Sequence, residues 1–143
     1  MFKNILLAID LSDPKSQQKA LDVAVQQAKS SDTTLHIITV VPDFGMSMVG
    51  SFFPKGYEAK ALEAANAKLH EYVSENVPEG IPVQHIVGHG SIYEEILHYA
   101  GEVKADLIVI ASHRPKLQDY LLGPNAARVV RHAKMSVMVV RGS

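Results

Sequence analysis

The chain has 143 residues, of which 47% are apolar and 20% charged, and its formal net charge is −1. That is room for one domain (residues 1–143) with a substantial core, an ordinary globular composition, and no overall field that would draw nucleic acid or an anionic membrane. The absence of cysteine excludes disulfides, iron–sulfur clusters and thiol chemistry and fits a reducing compartment.

The chain opens on an apolar run, Ile5–Ile9, that ends at Asp10. The run is far shorter than the roughly 20 residues of a membrane span and lacks a small-residue cleavage site. It reads as a buried strand, and the protein as soluble and cytoplasmic. Asp13-Pro14 then marks a helix start, and Leu21, Ala24, Val25 and Ala28 follow at helical spacing. Leu35–Val41 is a second strand. Pro42–Gly56 breaks the pattern with two prolines, three glycines and little charge. It is either a lid over a ligand or a cover for the sheet edge or a partner.

A second helix carries Leu62, Ala65, Leu69, Tyr72 and Val73 on one face, and Val83–Val87 is the third strand. Gly88-His89-Gly90 reads as a turn into a third helix, which Ser91-Ile92-Tyr93-Glu94 opens as a capping box. Leu107–Ile110 is the fourth strand. A last helix runs from Gly123-Pro124 to about Ala133, and Val137–Val140 is the fifth strand. Strands apolar at nearly every position belong to parallel sheets covered on both faces. The alternation predicts an α/β doubly wound fold, a five-stranded, mostly parallel sheet with four helices; the order expected is 3-2-1-4-5, one of the common orders of that class. Ligands of such sheets lie where the strand order reverses, here at Asp10 and Ala111.

Charge is unevenly placed. Between Ala111 and Ser143 six bases face one acid, Asp119, so the segment is +5 and the remainder −6. It is either a solvated basic helix or a local anion site. The stretch Ala111–Ala127 leaves the fourth strand and enters a helix at Gly123. Free N–H groups at a helix start favour anions, and glycine admits a phosphate close to the backbone. Arg114 adds a forked cationic donor. The plainer alternative is a glycine N-cap on an ordinary helix.

Several segments together resemble the universal stress protein family, closest to its small UspF-like branch. They are Ile5-Leu6-Leu7-Ala8-Ile9-Asp10, Thr39-Val40-Val41-Pro42, Gly90-Ser91 with Glu94-Glu95-Ile96-Leu97, Ala105–His113, and Ser136–Arg141. The resemblance spans nearly the whole chain and implies an adenine nucleotide alpha hydrolase-like fold. It implies that Val40 meets adenine through its backbone, that Ala8 and Asp10 sit by adenine and ribose, and that Ser112 and His113 lie near ribose or phosphates. Arg114, Gly123, Asn125 and Ala126 would surround the phosphates. The family's nucleotide binders have glycine, two residues, glycine, nine residues, then glycine followed by serine or threonine. Here Ala111 and Arg114 stand at the first two glycines, and only eight residues separate Arg114 from Gly123. Pro124 removes one backbone donor, whereas Asn125 can donate from its side chain. Each residue has a plain alternative: Asp10 caps the following turn, and Ser112 satisfies a strand end.

The resemblance implies a stress-response binding module for ATP, with Mg²⁺ arriving alongside the nucleotide, and at most slow hydrolysis. It also implies a homodimer or tetramer formed through the C-terminal strand; edge pairing explains such an interface physically. The other reading of the phosphate-facing residues is a phosphate-transfer enzyme using Arg114 and His113. A dimer that ignores nucleotides is the third. The sequence carries no Walker lysine, nucleophile elbow or acid pair, and no catalytic or metal-ligating set is expected.

Overall fold

A computed structural model describes residues 2–29, 32–41, 56–112 and 123–141. Its strands are β1 (Asn4–Ala8), β2 (Thr34–Val41), β3 (Val83–His89), β4 (Leu107–Ala111) and β5 (Ser136–Val140). The helices among the described residues are α1 (Pro14–Ala28), α2 (Tyr57–Asn76), α3 (Ile92–Glu102) and α4 (Pro124–His132). The sheet order is β3-β2-β1-β4-β5, and every neighbouring pair is parallel. The expected architecture and strand order are therefore what the chain adopts.

The inner strands are apolar on both sides because helices cover both. Ile5, Leu7 and Ile9 pack with Leu21, Ala24 and Val25 of α1 and with Leu69 and Val73 of α2. The alternate residues Leu6 and Ala8 pack with Ile96 and Ala100 of α3 and with Ala126 and Val129 of α4. Period-two alternation in β1 thus feeds two separate cores. Burying one such leucine fully is worth about 1.5–3 kcal/mol. Polar groups inside the sheet are paired. Buried His36 of β2 meets Asn4 of β1 and Gln84 of β3, joining three strands on one face. Asp106 accepts from the backbone N–H groups of Lys3 and Asn4, which fixes the start of β1 beside β4.

Local signals around α1 and α3 need correcting. Asp13 precedes α1 as expected, with Pro14 in its first turn, but its side chain makes no cap hydrogen bond. Ser91 is the N-cap of α3 without a side-chain cap, so the capping box does not form. Glu95, one residue beyond the expected partner, instead accepts from the backbone N–H of His89 at 2.9 Å. Glu95 can lie there because position 88 is glycine: a Cβ at Gly88 would stand 3.2 Å from the Cβ of Glu95. Gly88 and His89 accordingly belong to β3, paired with Val40 and Val41. The turn is confined to Gly90, whose φ of +128° suits only glycine.

The crossovers leave β1 toward β2 and enter β4 on its other side, so the order reverses between β1 and β4. The carboxyl ends of these two strands, with that of β2, frame the crevice described next.

Candidate functional site: a crevice at the carboxyl edge of the sheet

A crevice of about 640 Å³ opens at the carboxyl ends of β1, β2 and β4. That volume lies within the roughly 300–1,000 Å³ of small-molecule sites. Seven of the ten residues singled out from the sequence line it: Ala8, Asp10, Val40, Ala111, Gly123, Asn125 and Ala126. They come from β1, β2, β4 and α4, so the topology brings distant segments to one place. Ser112 is buried at the end of β4, where its backbone N–H donates to the carbonyl of Val140 at 3.0 Å. Its backbone therefore extends the β4–β5 pairing. His113 and Arg114 lie outside the described residues, as does the segment Pro42–Lys55 of the expected lid.

The chemistry of the crevice differs along its length. At the α4 end, Gly123 is the N-cap and Pro124 follows in the first turn. The amide of Ala127 already donates to the carbonyl of Gly123 at 3.0 Å, and proline has no N–H. The amides of Asn125 and Ala126 are the remaining donors of this first turn. Gly123 has φ −62°, which any residue can adopt. Glycine at this buried position is therefore not required by a special backbone conformation.

At the β1 end, Oδ1 of Asp10 accepts from the backbone N–H of Ser12 at 2.9 Å and from its hydroxyl at 2.6 Å. This is the turn-capping role. Oδ2 makes no hydrogen bond among the described residues. Asp10 is exposed, so one face of its carboxylate remains available as an acceptor.

The remaining wall was not legible from the sequence. Ala61, Ala64, Ala65 and Lys68 of α2 line the crevice, as do Gln17 of α1 and Ile92 and Ile96 of α3. The alanines recur at helical spacing, a signal that equally describes an ordinary packing face. The ionisable groups among the described lining residues are Asp10 and Lys68. The first turn of α2 is tied to the end of β3 by Glu58 and Nε2 of His89, 2.8 Å apart. The groups with displaced pKa values stand away from the crevice. Burial, and then Asp22, push the Tyr72 hydroxyl up. Burial, and then His70, push His85 down.

A second hollow, of about 590 Å³, lies at the opposite end of the sheet, with Lys29, Asp32 and Thr34 on one side and Pro78–Pro82 on the other. It faces the amino ends of β2 and β3, away from the helix start and from the point where the strand order reverses. No group of three or more potential metal ligands occurs among the described residues. None of their helices is long and apolar enough to cross a membrane.

Fold and crevice together define a doubly wound α/β protein with a ligand-sized opening at its switch point. The sequence profile of the Universal stress protein family matches residues 1–141, and the chain belongs to that family. Universal stress protein G of Escherichia coli O157:H7 is 30% identical over 143 residues, covering 99% of this chain and 100% of the relative. Universal stress protein A homolog 1 of Coxiella burnetii is 30% identical over 146 residues, covering 97% and 96% respectively. Among solved structures, a universal stress protein in complex with cAMP superposes with a TM-score of 0.71 at 25% identity, covering 99% of both chains.

Proposed function

We propose that this protein is a nucleotide-binding module whose crevice holds an adenine nucleotide, ATP in particular, with the phosphates at the start of α4. One observation carries the reading: residues from four separate segments, which the family resemblance implies for base, ribose and phosphates, line one crevice at the switch point. The amides of Asn125 and Ala126, which make no hydrogen bond to a described residue, offer donors for anionic oxygens at a positive helix end. The open carboxylate oxygen of Asp10 offers an acceptor for ribose hydroxyls. The cAMP complex of a relative of the same fold supports an adenine nucleotide as the ligand class. Mg²⁺ would enter with the triphosphate rather than occupy a site of its own.

Binding rather than turnover is the activity proposed. No histidine or glutamate is among the described lining residues, and Asp10 has one oxygen engaged in its turn. The test is titration calorimetry of the full chain with ATP, beside mass spectrometry of nucleotide released on denaturation. Micromolar affinity corresponds to about 8 kcal/mol. Gly123→Val places a branched side chain beside the amides of Asn125 and Ala126 and is expected to weaken ATP binding at least tenfold, with thermal unfolding as the check on the fold. A wild-type protein that gives no saturable heat and carries no nucleotide sinks the proposal.

A second reading concerns assembly. Among the described residues β5 pairs only with β4, and Val137, Met138 and Val139 are only partly buried. An apolar edge strand of this kind suits pairing with a second copy across a two-fold axis.

A further inference from the structure

The nucleotide reading leaves part of the crevice unused. On the face of the sheet shared by α1 and α2, the opening is walled by Ala61, Ala64 and Ala65, whose short side chains leave space. Two buried polar side chains line the same crevice: Gln17 of α1, 8% exposed, and Thr39 of β2, 6% exposed. Nε2 of Gln17 donates to the hydroxyl of Ser16 at 2.9 Å. Among the described residues, neither Oε1 of Gln17 nor the hydroxyl of Thr39 has a hydrogen-bond partner. Neither atom is among the fully enclosed unpartnered ones, so both oxygens are accessible to a polar ligand edge in the crevice that their residues line.

The orientation of the Gln17 amide follows from its neighbour. The Ser16 hydroxyl donates its proton to the carbonyl of Asp13 at 3.0 Å, so toward Gln17 it can only accept. That places the amide nitrogen against Ser16 and turns the carbonyl oxygen away from it. Gln17 therefore offers an acceptor where a freely turning amide would offer either sign. The position is apt. Thr39 immediately precedes Val40, and both Ala8 and Asp10 line the crevice beside it.

We propose that Gln17 and Thr39 read the edge of the base, with Oε1 of Gln17 accepting an exocyclic N–H, so that the crevice takes a 6-amino purine in preference to a 6-oxo purine. The inference rests on the nucleotide reading above and adds its base selectivity. A 6-oxo purine would set its carbonyl oxygen against another acceptor. The Thr39 hydroxyl can donate or accept and so adds affinity without discrimination. Lys68, on the exposed face of α2, has only donors and would act in the opposite sense.

The test compares ATP with ITP on the full-length protein by calorimetry, with thermal unfolding as the check on folding. Wild type is expected to prefer ATP by about tenfold or more. Gln17→Met keeps the bulk but removes the acceptor; it should weaken ATP, leave ITP little changed and bring the ratio close to one. Thr39→Val should weaken both alike, and Lys68→Met should keep the preference. Equal affinities in wild type, or a preference that survives Gln17→Met, would overturn the inference. Equal affinities would overturn this inference alone; binding of ITP without ATP would remove adenine as the ligand as well, and binding of neither would remove the nucleotide reading altogether.

Discussion

Asp10 shows how one side chain can serve both a turn and a ligand. Its two bonds to Ser12 use a single oxygen, so the turn and the proposed ribose contact need not compete. The substitutions separate them. Asp10→Asn can keep an oxygen on Ser12 but replaces the free acceptor with an NH₂ group; unfolding should change little, while ATP affinity drops roughly tenfold, as for one lost hydrogen bond. Asp10→Ala loses the turn contacts too and should cost about 1 kcal/mol more in denaturant unfolding. Equal ATP affinity in wild type and Asp10→Asn would remove Asp10 from the binding set. Asp10, Gly123 and Asn125 were legible in the sequence because each has a chemical signature at a strand or helix end. Gln17 and Lys68 were not. Each is one polar residue in an amphipathic helix, and only the packing of α1 and α2 decides that it borders a cavity.

The elements were more legible than their ends. Apolar runs fixed the strands because a strand buried on both faces tolerates few other residues. The α3 start misled because the capping-box pattern speaks only of local bonds. Glu95 is instead recruited by β3, in the space that Gly88 leaves. Contacts with α2 were likewise invisible in the sequence. The rings of His70 and His85 stack with centroids 3.7 Å apart, and Glu58 meets His89 at the other end of the same pairing. Burial foremost, and His70 next, hold the pKa of folded His85 below its ordinary value. As pH falls through about 6.5, the unfolded chain therefore takes up a proton at this position before the folded one does. The stability tied to a neutral His85 is complete above that pH and is lost on acidification toward the lower, folded pKa. His85→Gln should flatten the fall in melting temperature between pH 7.5 and 5.5. An unchanged slope would show that the stacked pair does not govern it.

At the scale of the whole molecule, the alternation of elements gave the parallel doubly wound class, and the observed order is one of the common orders of that class. Assembly is less constrained, since it depends on a surface that no internal packing rule specifies. β5 offers the best-defined candidate. One edge pairs with β4 while the other has no strand partner within the sheet, and its central residues are half-buried rather than polar. Extending the sheet through this edge would satisfy its open backbone groups and cover Val137 to Val139 together. Val139 also packs against the α3/α4 core, so a charge there has two effects that must be told apart. Val139→Lys can direct its ammonium outward while the stem keeps part of the packing. Analytical ultracentrifugation should find the wild type at twice the 15.6 kDa chain mass or a multiple of it. The variant should sediment as monomer or aggregate, with far-UV circular dichroism reporting whether the subunit itself still folds. A folded variant that remains dimeric would move the interface off β5, and a monomeric wild type at high micromolar concentration would end the proposal that this edge pairs at all.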